Sequence, residues 1–138
     1  MRNGVVLITN NSSLCGAVFG GRLVEGSSLD VLTAARDAVH LGASLLTHPL
    51  CGNLRPHQQP FRSVLIEENP GALVDLESLS LIDSAVTIYR DCARLPLPED
   101  LEAAVRRDYA FVDFELMRDS LERYGILPRI VSPVFGKV

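Results

Sequence analysis

At 138 residues the chain has the size of one domain with a single core. Hydrophobic residues make up 47% and charged residues 22%, an ordinary globular balance that excludes disorder over most of the length. The formal charge of -4 excludes the basic footprint of a nucleic-acid binder, and no apolar run reaches the ~20 residues of a membrane helix.

Residues 5–9 are β-branched and aliphatic, the pattern of a strand buried on both faces. Thr9-Asn10-Asn11-Ser12-Ser13 follows; such short polar side chains satisfy free backbone amides and predict a turn and a helix cap. A short helix is expected over 13–18, stopped by Gly20-Gly21, and a brief strand over 22–25. Glu25-Gly26-Ser27-Ser28 then opens the clearest helix, 29–41, with a serine cap and Asp30 in its first turn. Val31, Leu32, Ala35, Ala38 and Val39 form its apolar stripe, and Gly42 stops it.

Ala43 to Leu46 reads as a buried strand that breaks off at Thr47-His48-Pro49. From there to Ser63 the chain holds three prolines, two histidines, two arginines and Cys51, with no helical period. An ordered loop of this length is uncommon in a small domain and marks function or mobility. Residues 63–67 repeat the strand signature and are expected to join the sheet at an edge or antiparallel. After the turn Asn69-Pro70-Gly71, a second strong helix is predicted over 76–94, capped by Asp75, with Leu79, Ile82, Val86 and Tyr89 on its stripe. Pro96 and Pro98 break that helix and open another over 99–107. Tyr109 to Phe114 fits strand and helix equally well, while Met117, Leu121 and Tyr124 resume a helical stripe ending at Gly125.

The alternation predicts an α/β fold: a small, largely parallel sheet with packed helices, Rossmann-like and three-layered, plus C-terminal helices. Residues 1–125 form one domain, and 126–138 form an apolar tail expected to dock on the domain, on a partner or on a second copy.

The cysteines, Cys15, Cys51 and Cys92, are odd in number and share no CxxC spacing, which fits a reducing cytoplasm. With His40, His48 and His57 they show no metal-ligand spacing, so no metal and no cofactor are expected. The Walker loop, GxGxxG, GxSxG and HExxH are absent.

Asn10-Asn11, Glu25-Gly26 and Thr47-His48 each follow a predicted strand, and parallel strands end on one edge, where open α/β sheets bind ligands. The expected ligand-binding set is Thr9, Asn10, Asn11 and Ser12, then Gly26 and Ser27, then Thr47 and His48, with Ser63 beside them. Amides at the two helix starts, with Arg55 or Arg62 as counter-charge, suit a small anion. Should a reaction be catalysed there, His48 is the general acid or base and Glu25 the carboxylate that fixes its tautomer. The competing role for His48 is a pin that hydrogen-bonds its own loop. Cys51 lies three residues from His48, which by itself is poor ground for a Cys/His nucleophile.

Several stretches together resemble the GrdX-like family, small proteins encoded beside the selenium-dependent glycine, sarcosine and betaine reductases of anaerobic bacteria. They are Thr9-Asn10-Asn11, Glu25-Gly26-Ser27 with Asp30-Val31-Leu32, and above all Leu45-Leu46-Thr47-His48-Pro49-Leu50 followed by Gly52, Arg55-Pro56, Pro60 and Arg62-Ser63. The resemblance covers roughly residues 5–115. Where the family pattern often has serine this chain has Cys51, which argues against an essential thiol. The resemblance implies a cytoplasmic accessory or regulatory role near reductase chemistry, with a reductase subunit as partner. Three functions stay open on the sequence: an accessory protein binding a small anion at the strand ends, an enzyme using His48 and Glu25, and a docking module acting through its tail. The first, non-enzymatic reading is preferred.

Overall fold

Five consecutive β-branched and aliphatic residues put β1 (Val5–Thr9) inside the sheet, with Leu7, Ile8 and Thr9 fully buried. The computed structural model describes residues 4–52 and 55–128. In chain order, α1 (Ser12–Ala17), β2 (Gly21–Leu23), α2 (Ser28–His40), β3 (Ser44–Leu45), β4 (Ser63–Glu67), α3 (Leu76–Arg90) and α4 (Ala103–Arg123) follow β1. Single 3-10 turns stand at Pro56–Gln58 and Pro98–Asp100.

The sheet order is β2-β1-β4-β3. β1 and β2 are parallel and joined through α1, whereas β4 runs antiparallel to both β1 and β3. The expectation of a largely parallel sheet is therefore corrected, and the fold is a mixed α/β one. The reason lies in the long loop after β3, which contains a 3-10 turn and, among the described residues, no crossover helix. A strand reached without a crossover re-enters on the edge where its predecessor left, and so runs the opposite way. β4 also takes an inner place beside β1, paired from Thr9↔Ser63 to Val5↔Glu67, and is not an edge strand. As a result β1, β2 and β3 end, and β4 begins, along a single edge.

Alternation along the strands divides the core in two. Ile8, Val64 and Ile66 pack with Val31, Leu32, Ala35 and Val39 of α2 and Ile82 and Val86 of α3. Val5, Leu7 and Leu65 pack instead with Leu14 of α1 and Phe114, Met117 and Leu121 of α4. Each fully buried aliphatic side chain contributes about 1.5–3 kcal/mol relative to exposure.

The ambiguous stretch Tyr109 to Phe114 is helical, and the two C-terminal helices expected from the sequence are one, α4, preceded by the Pro98–Asp100 turn. Ala110, Asp113, Phe114, Met117 and Leu121 form its buried stripe, at the helical spacing of three and four. Beyond it, Ile126 is fully buried in the second core cluster and its carbonyl accepts from Phe19 N–H at 2.8 Å. The rest of the expected docking tail, 129–138, lies outside the described residues. No helix among the described residues is long and apolar enough to cross a membrane.

Candidate functional site

The strand-end edge carries the polar residues that the sequence singles out, and most of them turn inward. Asn10 is buried, and its carboxamide joins three segments. Its Nδ2 donates to the carbonyls of Gly26 at 3.0 Å and Pro60 at 2.8 Å, and its Oδ1 accepts from the Arg62 backbone N–H at 2.9 Å. Asn11 caps α1 by accepting from Leu14 N–H, and its Nδ2 donates to the Ala110 carbonyl and to Asp113, both at 3.1 Å. Thr9 and Ser63, opposite one another across the β1–β4 ladder, share a hydroxyl hydrogen bond of 2.7 Å. Ser63 also donates to Asp113 at 2.7 Å. Its one proton is thereby committed, so Thr9 is the donor between the two hydroxyls.

Asp113 belongs to no sequence-derived candidate set, yet it anchors this network from α4. Burial pushes its carboxyl above the usual range, although the hydrogen bonds from Ser63 and Asn11 and the charge of Arg62 pull the other way. Arg62 is itself 3% exposed. Its guanidinium donates to the Cys51 carbonyl and to the Tyr89 hydroxyl, each at 2.7 Å, and lies 5.6 Å from the Tyr89 ring centroid. Its buried Nε has no hydrogen-bond partner among the described residues. Tyr89 passes the bond on to Gln59, whose carbonyl accepts from Ser28 at the start of α2. Burial raises the Tyr89 phenol, with Arg62 opposing the shift. The loop between β3 and β4 is thus tied to β1, α2 and α3 by side chains that are already spent.

Two clefts open along the edge. The first, about 360 Å³, is lined by Asn10, Ser12, Glu25, Gly26, Pro98 and Glu99 among others. Gly26 has a φ of +127°, and a Cβ there would collide with the Asp30 carboxylate. That carboxylate accepts from Ser27 N–H at 2.8 Å while Ser27 caps Asp30, a reciprocal box that assigns Ser27 to the helix start. Ser12 and Glu25 are exposed. The second cleft, about 370 Å³, is lined by Thr47, His48, Asp75, Glu77 and Ser78 among others. Thr47 Oγ1 accepts from Leu65 N–H at 3.1 Å, closing the end of the β3–β4 ladder. His48 Nδ1 accepts from Leu50 N–H at 3.0 Å, which leaves Nε2 to carry the proton of the neutral ring.

The expected residues are therefore on one edge but not in one cleft. Adjacent strands stand ~4.8 Å apart, so the insertion of β4 sets β1 and β3 roughly 10 Å apart. No hydrogen bond joins Glu25 to His48 among the described residues, and His48 holds its own turn. Arg55 is exposed at the start of the Pro56–Gln58 turn and lines neither cleft, as Arg62 also does not. Cys51 places its Sγ 3.9 Å from the Leu116 carbonyl, and no side-chain hydrogen bond joins it to His48 among the described residues. No group of acidic, histidine or cysteine residues among those described could hold a metal ion.

Residues 6–122, from β1 to the last turn of α4, match the family model described as GrdX-like protein. The chain belongs to that family. No curated protein and no solved structure matches it.

In this GrdX-like chain the residue that sequence reasoning missed had a readable signal. Asp113 sits one position before Phe114 on the stripe of Ala110, Met117 and Leu121, where an aliphatic residue is the ordinary occupant. A carboxylate at a core position implies a buried partner set. Tyr89 was legible as a core residue of α3, but its hydroxyl contact with Arg62 required the fold.

Proposed function

We propose that this chain is an accessory or regulatory protein of glycine- or betaine-type reductase systems, working by binding and not by making or breaking bonds. The ligand of its first cleft is a small organic cation. Family membership supports the reductase setting. The observation that carries the ligand class is charge: Glu25 and Glu99 line that cleft, and no basic side chain among the described residues does. A small anion, the ligand expected from the sequence, would meet two carboxylates there. Its intended counter-charge, Arg62, is enclosed and bonded to Cys51 and Tyr89. Asn10 contributes rigidity, because its carboxamide fixes the Gly26 carbonyl at the cleft wall.

The acid–base reading of His48 with Glu25 finds no support, since the two side chains line different clefts. Calorimetric titration with tetramethylammonium chloride and with inorganic phosphate tests the proposal. Saturable binding of the cation, weakened by Glu25→Gln, is expected. Saturable phosphate binding that survives Glu25→Gln would return the site to an anion.

A further inference from the structure

β2 is an edge strand, and all three of its residues are exposed. In its parallel register on β1, Leu7 N–H donates to the Gly20 carbonyl and Val24 N–H to that of Thr9. The N–H and C=O groups of Gly21 and Leu23 therefore point away from the sheet. No hydrogen bond takes up these four groups among the described residues. The same outward row begins two residues earlier, at Phe19, and there it is already occupied: Phe19 N–H donates to the Ile126 carbonyl at 2.8 Å. Exposed apolar side chains accompany the row, Phe19 at 43% and Leu23 at 45%. An open edge of this kind is a template for one more strand.

Three segments lie outside the described residues, and the connections select one of them. Residues 1–3 precede Gly4, whose carbonyl accepts from Glu68 N–H on the β4 side. Residues 53–54 follow Gly52, which is packed against Leu116 of α4. Residues 129–138, by contrast, continue from the rung that is already made. Ile126 and Leu127 are seated in the core cluster on the α1 side of the sheet. Ile126 N–H donates back to the Leu121 carbonyl, so it returns no bond to Phe19 of the kind an antiparallel pair exchanges. An antiparallel path would in any case lead back over α1, so a chain that follows β2 runs parallel to it. We propose that residues 129–132 of the same chain add to the free edge of β2 as a fifth, parallel strand.

The Phe19–Ile126 rung fixes the register. Gly21 N–H donates to the Pro128 carbonyl, and the Gly21 carbonyl accepts from Ile130 N–H. Leu23 N–H donates to the Ile130 carbonyl, and the Leu23 carbonyl accepts from Ser132 N–H. Both prolines suit this arrangement. Pro128 forfeits only the rung to the Phe19 carbonyl, and Pro133 falls where its missing N–H faces away from β2. Val131 becomes the cross-strand neighbour of the exposed Leu23. Since no loop separates the added strand from Ile126, its closure entropy is small. This inference is independent of what occupies the strand-end cleft.

The test is amide hydrogen exchange of the full chain, read by NMR. The Gly21 and Leu23 amides should exchange roughly tenfold or more slowly than in Ile130→Pro, which lacks the donor for Gly21 and breaks the pairing. Ile130→Ala keeps that donor and should keep the protection. Unchanged exchange at Leu7 and Ile8 of β1 shows that the rest of the sheet is intact in each variant. In the parent, a nuclear Overhauser contact between Leu23 and Val131 reads the register without any substitution. Fast exchange at Gly21 and Leu23 in the parent, equal exchange in Ile130→Pro, or no Leu23–Val131 contact would overturn the proposal. Protection that grows with protein concentration would overturn it too, because a second copy would then supply the strand.

Discussion

Replacing Asn10 by alanine removes a carboxamide that makes three hydrogen bonds. The Arg62 N–H and the Pro60 carbonyl are left without partners among the described residues, while the half-buried Gly26 carbonyl can turn to water. A buried polar group without a partner costs about 1–3 kcal/mol, so two such groups predict a loss of about 2–5 kcal/mol. Asn10→Asp is predicted to be at least as damaging: it keeps the acceptor for Arg62 but sets a carboxylate oxygen against two carbonyls. Urea unfolding followed by far-ultraviolet circular dichroism measures both. Should both variants unfold within about 0.5 kcal/mol of the parent, as an ordinary surface change does, the scaffolding role of Asn10 would be refuted. A stable Asn10→Ala variant that no longer binds a cation would instead make Asn10 a ligand group.

Asp113→Asn tests the buried carboxyl. Its folded-state pKa lies above the unfolded value, so the associated stability is fully present below the unfolded pKa and is lost as pH rises through the folded pKa. The parent should therefore lose stability relative to Asp113→Asn across that window, and parallel stability curves for the two proteins would show that Asp113 is not so perturbed. Ile82→Ala should cost ~2–5 kcal/mol because Ile82 is fully enclosed, whereas Leu79→Ala, at a half-buried position, should cost clearly less; equal thermal shifts would contradict the packing. Cys51→Ser should leave stability and binding intact, because the backbone carbonyl of Cys51 and not its thiol holds Arg62. Loss of binding in that variant would restore a role for the thiol.

The parts of the fold legible in the sequence are those written in one period. β1 is a single apolar run, and α2 carries caps at its start, a stripe along its length and glycine at its end, so their bounds were readable to within a few residues. β4 was readable as a strand, but its direction and inner position depend on the path of the β3–β4 loop, which has no periodic signal. α4 was split because Phe111 and Val112 are exposed apolar residues while Asp113 is a buried acid, which inverts the pattern at its middle. At the candidate site the residue types alone leave two roles open, for a physical reason. Asparagine, serine and threonine at strand ends serve caps and internal networks with the same donors and acceptors that would serve a ligand. Only the fold separates Asn10, Asn11, Thr9 and Ser63, which are spent on Gly26, Pro60, Ala110 and Asp113, from Ser12 and Glu25, which face out.

The division of the strand-end edge into two independent clefts is tested most directly by native mass spectrometry. Protein purified from its own host would be compared as the parent, Glu25→Gln and His48→Ala. The account predicts a retained small cation in the parent and in His48→Ala, lost in Glu25→Gln. A ligand lost on His48→Ala and kept on Glu25→Gln would contradict it.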